Sequence, residues 1–320
     1  MADFDVFNGD ADGICALTQL RLAEPRDAQL VTGVKRDIEL LQQVHAGNGD
    51  RVTVLDVAME KNIAPLQQLL AAGAEVFYCD HHFAGEIPQH PNLHAIVSEA
   101  PEVCTSLLVN GHLKGKHRAW AVVGAFGDNL KTSALAAAKP LDIDADALAL
   151  LENLGIYINY NGYGEQVEDL HFAPADLFRL VSQFADPLDF IRGAGREHFA
   201  KLEAGYRDDM AAAVAIKPEL INDKVAAFIF PDEPWARRVS GVYSNDLVNQ
   251  FADRAHAVLT AKRNGNYLIS VRAPLSNRTG AADLCRQFPT GGGRAAAAGI
   301  NDLPGDQLNA FLAQFQKQFS

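Results

Sequence analysis

The segment VFNGDADGICAL, residues 6–17, carries two carboxylates, Asp10 and Asp12, one residue apart in a stretch rich in glycine. It overlaps the end of the apolar segment FDVF at 4–7, which predicts a short β-strand. An Asx-turn followed by a helix N-cap is the simpler explanation of this pair taken alone. Two carboxylates directed to one point can instead indicate a cation site at the end of the strand.

Three further polar clusters occur later in the chain: LDVA 55–58, DHH 80–82 and GDN 127–129. Each has an ordinary explanation, since Asp56 can cap a helix near Glu60, His81 and His82 can be satisfied core or surface imidazoles, and Asp128 can close a helix. Their order along the chain, at the ends of predicted elements, favours one shared metal site. In a site with two ions, about 3.5–4 Å apart, a carboxylate such as Asp56 can bridge the ions.

The elements that must position these clusters alternate between strands and helices in the first part of the chain. Strands are predicted at 4–7, 29–34, 51–56 and 74–80, with helices from about Gly13, around 37–46 and at 62–72. This alternation predicts an α/β fold with a parallel sheet and helices on both faces. Binding sites in such sheets lie beyond the carboxyl ends of the strands, where Asp10, Asp56 and Asp80 fall.

The rest of the chain predicts a helical region and a second, smaller α/β domain. Residues 104–220 are mostly helical in pattern, interrupted by NYNGYGEQ at 159–166. Strands follow at 224–230, 255–262 and 267–273, the last two joined by the turn RNGN, which favours a hairpin. We therefore expect domains at 1–190 and 223–320, joined by a helical linker at 191–222.

Composition narrows the classes of function. The 320-residue chain has a net charge of −12, which argues against wrapping a long nucleic acid. No stretch has the pattern of a secretory leader or the length of a membrane span, so we expect a cytoplasmic protein that acts away from membranes. Without a Cys-x-x-Cys spacing, the cysteines are expected to be buried thiols: Cys15, Cys79, Cys104 and Cys285.

The ordered motifs resemble those of the DHH phosphoesterases, a family named for the tripeptide found here at residues 80–82. NGDADG, LDVA, CDHH and FGDN match its four N-terminal motifs, and GGGRAAAAG at 291–299 matches the glycine-rich hallmark of the DHH-associated C-terminal domain. The resemblance spans nearly the whole chain. The tripeptide alone is weak evidence, whereas four ordered motifs with the glycine segment are strong evidence.

The resemblance implies two divalent ions at the N-terminal motifs. It implies that Asp10, Asp56 and Asp128 hold one ion and that Asp12, Asp56 and His81 hold the other. His82 would face the scissile phosphate or orient the attacking water, with Asp80 supporting the histidines. The mixed carboxylate and imidazole donors favour Mn²⁺, with Mg²⁺, Co²⁺ or Zn²⁺ as alternatives.

Two departures from the family pattern concern the ion site and the glycine segment. Val6 and Asn8 stand where the family usually has a His or Asp ahead of the aspartate pair, which leaves Asn8 as a weaker oxygen donor. Arg294 replaces a histidine after Gly291, Gly292 and Gly293. An arginine can bind a phosphate bidentately, and glycine amides can approach an anion closely.

Further candidates for substrate binding lie in both parts of the chain. Arg272 resembles a strand arginine that the second domains of this family point into the cleft between domains, although a solvated strand-edge residue is an equal alternative. Tyr160 or Tyr163 is a candidate for stacking on a base, but an ordinary helix-breaking loop is the simpler explanation of that segment.

The family includes oligoribonucleases, dinucleotide and cyclic di-AMP phosphodiesterases, phosphatases of 3′-phosphoadenosine 5′-phosphate, pyrophosphatases and a single-strand exonuclease. A compact acidic chain favours a short nucleotide substrate. We expect hydrolysis of linear dinucleotides such as pGpG, or of very short oligonucleotides, to mononucleotides. The alternatives are a cyclic di-AMP or 3′-phosphoadenosine 5′-phosphate hydrolase, or a non-catalytic nucleotide sensor; a homodimer is compatible with any of these.

Overall fold

A computed structural model describes residues 1–320, and the chain divides into two compact units. The first unit spans Met1–Ala204 and the second spans Gly205–Ser320. The division falls inside a long helix, Arg196–Val214, within the segment 191–222 that was expected to form a helical linker. The finer domain boundaries stay a prediction.

The first unit contains a five-stranded sheet in which every neighbouring pair of strands is parallel. The strands are β1 Asp3–Phe7, β2 Gln29–Val31, β3 Arg51–Leu55, β4 Glu75–Asp80 and β5 Leu93–Val97, in the spatial order β2-β1-β3-β4-β5. The three central strands β1, β3 and β4 are mostly buried, as expected for a sheet covered by helices, whereas the edge strands β2 and β5 are more exposed. The predicted parallel α/β sheet is confirmed, and β5 is an additional strand that the sequence pattern did not reveal.

Helices connect and cover the strands of the first unit. They are α1 Ala11–Ala23, α2 Met59–Ala71, α3 Thr105–His112, α4 Arg118–Gly127, α5 Lys131–Ala138, α6 Ala145–Gly162, α7 Pro174–Val181, α8 Pro187–Arg192 and α9 Arg196–Val214, the last of which runs on into the second unit. The helix predicted around 37–46 is wrong, since only the short 3₁₀ turn Leu40–Gln43 forms there. Gly33 and Asp37 instead shape a compact loop, in which the backbone N–H of Val34 donates to Asp37 Oδ2.

A buried ion pair fixes α1 against the sheet. Arg21 of α1 donates from Nε to Asp5 Oδ2 at 2.7 Å and from Nη2 to Asp5 Oδ1 at 2.6 Å. The same Nη2 donates to Thr53 Oγ1 of β3 at 2.9 Å. This bidentate arrangement sets where α1 lies along β1, and therefore where the connecting turn with Asp10 and Asp12 lies.

Glycine allows α4 to approach α1 and α6 closely. A Cβ at Gly127 would lie 2.3 Å from Ala11 Cβ and 2.7 Å from the carbonyl oxygen of Gly155, too close for any other residue. A Cβ at Gly155 would lie 2.3 Å from the carbonyl oxygen of Val123. The close approach places the C-terminal end of α4 beside the start of α1, and the next residue is Asp128.

The second unit contains a mixed six-stranded sheet, and the expected smaller α/β domain is confirmed. Its elements are β6 Leu220–Ile221, β7 Val225–Phe230, α10 Pro234–Gln250, β8 Ala255–Ala261, β9 Tyr267–Arg272, α11 Ala281–Cys285, β10 Gly291–Gly293, β11 Ala297–Leu303 and α12 Leu308–Gln318. The strand order is β10-β11-β9-β8-β7-β6, with β7 and β8 parallel and the other pairs antiparallel. The predicted hairpin at RNGN joins β8 to β9.

None of the helices combines the length and the apolar character that crossing a bilayer requires.

Candidate metal centre

The carboxyl ends of β1, β3 and β4 bring the N-terminal motifs to one edge of the first sheet. Asp56 follows β3 directly, Asp80 ends β4, and Asp10 lies three residues after β1. The backbone continues the sheet pattern past the strands, since Asn8 N–H donates to the carbonyl oxygen of Leu55 and Asp56 N–H donates to that of Cys79. The side chains predicted to share a site therefore start from neighbouring positions.

Asp10 has both carboxylate oxygens engaged. Oδ1 accepts the backbone N–H groups of Asp12 and Gly13, so the helix N-cap considered for this residue forms. Oδ2 contacts the ammonium of Lys35 at 2.5 Å. Burial acts to raise the pKa of Asp10, but the charge and hydrogen bond of Lys35 outweigh burial and hold that pKa below its usual value.

Asp12 is buried against the start of α3. Its Oδ2 accepts the N–H of Thr105 at 2.7 Å and its Oδ1 accepts the N–H of Ser106 at 2.7 Å, at the positive end of the helix dipole. Burial, supported by the nearby charges of Asp128 and Asp10, nevertheless raises the pKa of Asp12. The positive end of the helix dipole is therefore not sufficient to stabilise the ionised form of Asp12.

Asp56 adopts a left-handed backbone conformation, with φ of 59°, which non-glycine residues rarely take. Its Oδ1 accepts a hydrogen bond from Thr105 Oγ1 at 3.2 Å. No side chain caps α2, so the alternative of Asp56 as a cap for that helix is wrong. Burial, together with the charges of Asp10 and Asp12, raises the pKa of Asp56 well above its usual value.

His81 lies among three carboxylates. Its Nε2 is 3.4 Å from Asp56 Oδ1 and 3.9 Å from Oδ2 of both Asp12 and Asp128. Its Nδ1 lies 3.0 Å from the carbonyl oxygen of Val103, which can only accept, so Nδ1 carries a proton and Nε2 is the nitrogen that faces the carboxylates. This orientation leaves Nε2 as the atom through which the imidazole would bind a metal.

His82 is held by Asp80 instead. Its Nδ1 donates to Asp80 Oδ1 at 2.8 Å, and its side chain is 35% exposed, whereas that of Asp80 is fully buried. Although burial lowers the pKa of His82, the hydrogen bond and charge of Asp80 raise it above its usual value. Because the proton on Nδ1 is committed to Asp80, Nε2 is the nitrogen left for chemistry at the mouth of the centre.

Asp128 follows α4 and caps its C-terminal end through the backbone. Its N–H donates to the carbonyl oxygen of Gly124, and Asn129, in a left-handed conformation with φ of 59°, donates to that of Phe126. The proposed helix-closing role is therefore correct, but the side chain is also free for a ligand, because Asp128 Oδ2 is buried without a hydrogen-bond partner.

The first motif offers one further donor. Asn8 donates from Nδ2 to the carbonyl oxygen of Lys35 at 3.2 Å, and its Oδ1 is buried without a partner. Val6 is fully buried in β1 and supplies no donor. Asn8 thus keeps a free carbonyl oxygen near Asp10, as a weak ligand would.

The segment NYNGYG has a structural role that the sequence did not indicate. Helix α6 continues through it to Gly162, and Asn159 Oδ1 accepts from Lys35 Nζ at 2.9 Å. Asn161 Oδ1 accepts two backbone N–H groups of the loop at 171–172. The suggestion that Tyr160 stacks on a base is wrong, because its side chain is fully buried and its hydroxyl contacts His171 Nε2 at 2.8 Å.

The substrate-binding candidates of the second unit lie near one another. The glycine segment forms strand β10, and Arg294, in the turn that follows, is exposed and exchanges backbone hydrogen bonds with Ala297. Ala297 is paired in register with Arg272, whose guanidinium donates to Asn245 Oδ1 and Ser270 Oγ. The alanine-rich stretch after the glycines therefore continues into strand β11 and does not form a helix.

Two of the three glycines of β10 are required by packing. A Cβ at Gly291 would lie 1.8 Å from the carbonyl oxygen of Cys285, and Gly293 has φ of 134°. A Cβ at Gly292 would meet open space, so this glycine alone leaves room for an anion to approach the backbone. Anion binding by the glycine segment stays a prediction.

The donors in the first unit fit a divalent cation. Nε2 of His81 and the carboxylates around it lie 3.4–3.9 Å apart, close to the spacing of ligands held about 2.1 Å from one ion. The raised pKa values of Asp12 and Asp56 and the unpartnered Oδ2 of Asp128 show where positive charge is missing. His82 Nδ1 lies 3.8 Å from Asp56 Oδ1 but carries a proton, so it is unsuited as a ligand.

Sequence reasoning missed Lys35 and Thr105. Lys35 follows β2, the neighbour of β1, so its loop leaves the same edge of the sheet. The position of Lys35 after a predicted strand, in the segment GVKRD, could have indicated that this residue lies near the centre.

Replacing Asp56 by Asn is expected to stabilise the metal-free protein. A carboxyl whose pKa is raised by folding costs stability once the pH exceeds its unfolded pKa, and the cost grows until the pH passes the raised pKa. The melting temperature of Asp56→Asn should therefore exceed that of the wild type at pH 8, by about 2–4 °C per kcal/mol of relieved repulsion. The difference should disappear near pH 4.

Thermal unfolding in a chelator, measured across this pH range, checks the expectation. Asp27→Asn, which neutralises an exposed carboxylate, is the matched control and should follow the wild type. A variant less stable than the wild type at pH 8 would show that Asp56 is already compensated without a metal.

Comparisons with known proteins place the fold. No protein-family model matches the chain, and no curated protein matches it either. Among solved structures, it is similar to the exonuclease RecJ bound to manganese, with 18% identity and a TM-score of 0.57 over 99% of this chain and 89% of RecJ. A pGpG-specific phosphodiesterase, PggH of Vibrio cholerae, has 16% identity and a TM-score of 0.57 over 99% of both chains.

RecJ of Thermus thermophilus in complex with Mn²⁺ gives 18% identity and a TM-score of 0.58, over 99% of this chain and 51% of that one. At these identities the likeness establishes a shared fold. The fold expected from the ordered motifs is therefore confirmed.

Proposed function

We propose that this chain, which has the fold of the DHH phosphoesterases, is a metal-dependent hydrolase of phosphoric ester bonds and, more finely, a phosphodiesterase acting on linear dinucleotides such as pGpG. The observation that carries the proposal is the arrangement of three carboxylates around Nε2 of His81. Such a cluster is costly to bury without a cation. A bound cation would offset this cost, and the same cation could act in catalysis.

The ion would be held by Asp12, Asp56, Asp128 and His81. Mn²⁺ is the preferred candidate, because one imidazole and several carboxylates suit it, with Mg²⁺ or Co²⁺ as alternatives. A divalent ion there supplies positive charge to a non-bridging phosphate oxygen and lowers the pKa of a bound water. Thr105 and Ser106 keep Asp12 and Asp56 in place through the hydrogen bonds described above.

His82 would act as the general acid that protonates the leaving oxygen. Asp80 fixes its tautomer and raises its pKa, so that the protonated imidazole can donate from Nε2 to the leaving oxygen. The exposed position of His82 allows it to meet a substrate, whereas His81, whose side chain is 2% exposed, can only serve from within the centre.

An exposed aromatic residue next to His82 in the sequence favours a substrate that carries a base. Phe83 directly follows His82, and its side chain is 61% exposed. An exposed ring next to a phosphate-binding site can stack on a base, a contact worth about 1–3 kcal/mol. Inorganic pyrophosphate offers nothing for this ring, so the feature supports a nucleotide substrate.

The similarity in fold to a pGpG-specific phosphodiesterase supports a dinucleotide as the first substrate to test. Arg294, Arg272 and the glycines Gly291, Gly292 and Gly293 remain the predicted phosphate-binding residues of the second unit. The proposed partner is thus a short nucleotide.

The experiment incubates metal-free protein, with and without Mn²⁺, with pGpG, pApA, cyclic di-AMP, 3′-phosphoadenosine 5′-phosphate, pyrophosphate and a labelled 20-mer. Chromatography of the products should show Mn²⁺-dependent conversion of dinucleotides to mononucleotides, with slower or no loss of the others. Turnover of a different compound in the panel would reassign the substrate. No turnover of any compound despite tight Mn²⁺ binding would contradict the proposal and favour a nucleotide sensor.

A further inference from the structure

Lys35 binds the carboxylate of Asp10, a residue that the family resemblance assigns to an ion. Its Nζ lies 2.5 Å from Asp10 Oδ2, while Asp10 Oδ1 is taken up by the backbone of α1. Both carboxylate oxygens of Asp10 therefore have donors, as those of Asp12 do, but only Asp10 has a cationic one. A divalent ion bound to Oδ2 of Asp10 would lie against the ammonium, and the repulsion between the two positive charges disfavours it.

The position of Lys35 is fixed by contacts on both sides of its backbone and at its tip. Its N–H donates to the carbonyl oxygen of Gly162 at 2.8 Å, and its own carbonyl oxygen accepts from Asn8 Nδ2 at 3.2 Å. At the tip, Nζ donates to Asn159 Oδ1 at 2.9 Å and lies 5.2 Å from the centre of the Tyr163 ring. A displaced Lys35 would lose all the contacts at its tip.

The charges around the centre agree with an ammonium beside one divalent ion. Asp12, Asp56 and Asp128 surround His81, whereas Asp10 meets Lys35, and Asp80 meets His82. Each buried carboxylate thus has a cationic partner once a single ion lies at His81.

We infer that Lys35 takes the place of one of the two ions that the resemblance implies, so that the centre holds a single divalent ion at His81 and a fixed ammonium at Asp10. The inference rests on the proposed ion at His81. An ammonium has three N–H donors, and the two acceptors described above use two of them. The third can donate to a phosphate oxygen. The ammonium would thereby stabilise negative charge on the substrate, as the replaced ion would have done.

Metal counting on the metal-free protein tests the inference without reference to activity. Mn²⁺ titration by calorimetry, with elemental analysis after desalting, is applied to the wild type, Lys35→Met, Lys35→Arg and the control Lys61→Met, an exposed lysine of the same unit. The wild type, Lys35→Arg and Lys61→Met should bind one ion per chain. Lys35→Met, which frees Asp10 and leaves Asn8 Oδ1 beside it, should bind two.

The outcomes separate this inference from the proposed function. Two ions in the wild type, or one or none in folded Lys35→Met, would overturn the role of Lys35 and leave the proposed function standing. No ion in the wild type would overturn both. Electron paramagnetic resonance of the Mn²⁺-loaded wild type decides the matter even if Lys35→Met fails to fold: an isolated six-line spectrum is expected, and a spin-coupled dinuclear spectrum would contradict the inference.

Discussion

Replacing His81 by Ala is expected to lower kcat/KM for pGpG by about 10³-fold or more, because an ion contributes several kcal/mol of transition-state stabilisation. The variant loses the imidazole nitrogen that lies among the carboxylates and leaves their charges facing each other. Mn²⁺ affinity should fall together with activity. Steady-state kinetics and calorimetric titration of Mn²⁺ on the same preparations measure both quantities.

The matched control for this prediction is His45→Ala, which removes an exposed imidazole of the first unit. It should keep both Mn²⁺ affinity and kcat/KM. A His81→Ala variant that bound Mn²⁺ as tightly as the wild type would show that the ion is held elsewhere in the chain.

Replacing His82 by Gln is expected to lower kcat by about 10²–10⁴-fold, the range of a general acid, while Mn²⁺ affinity stays near that of the wild type. The reason is that the protonated Nδ1 of His82 faces Asp80 and supplies no ligand. The contrast with His81→Ala separates the proton donor from the metal ligand within one tripeptide.

The pH dependence gives an independent signature of His82. Because Asp80 raises the pKa of His82, its acidic form persists above the usual range of histidine, and kcat should fall only as the pH rises through that raised value. In His82→Gln this alkaline fall should be absent. A wild-type profile that rises throughout this range, or an equal loss of Mn²⁺ affinity in His82→Gln, would contradict the assignment of His82 as an acid.

Local sequence patterns correctly predicted most strands of the two sheets and the hairpin between β8 and β9. The apolar runs ending in Asp56 and Asp80 gave strands in the expected places, because a buried parallel strand leaves a continuous apolar run and its polar end marks the sheet edge. The turn RNGN gave the expected hairpin. Strand β5, Leu93–Val97, was missed because it is only half-buried, so its apolar pattern is weak.

The contacts that complete the centre depend on the tertiary fold. Thr105 and Ser106 reach Asp12 across 93 and 94 residues, and Lys35 reaches Asn159 across 124. No local pattern encodes such pairs. The residues of NYNGYG were misread for the same reason: the polar side chains of this segment bind Lys35 and a neighbouring loop, so a helix continues where the composition suggested a break.

Ordered motifs were more informative than single residues. Asp10 does cap α1 and Asp128 does follow a helix end, so the ordinary explanations of these residues are correct and yet incomplete. Asp128 closes α4 through its backbone and still leaves Oδ2 of its carboxylate unpartnered for the proposed ion. Only the joint order of the motifs pointed to the second role.

The most direct test of the metal centre is a crystal structure of the Mn²⁺-loaded protein with an anomalous difference map recorded at the manganese absorption edge. We expect a peak in contact with His81 Nε2 and with the carboxylates of Asp12, Asp56 and Asp128, beside an undisplaced Lys35. A map with no peak at His81, from crystals grown with Mn²⁺ in excess, would show that the proposed metal centre does not form.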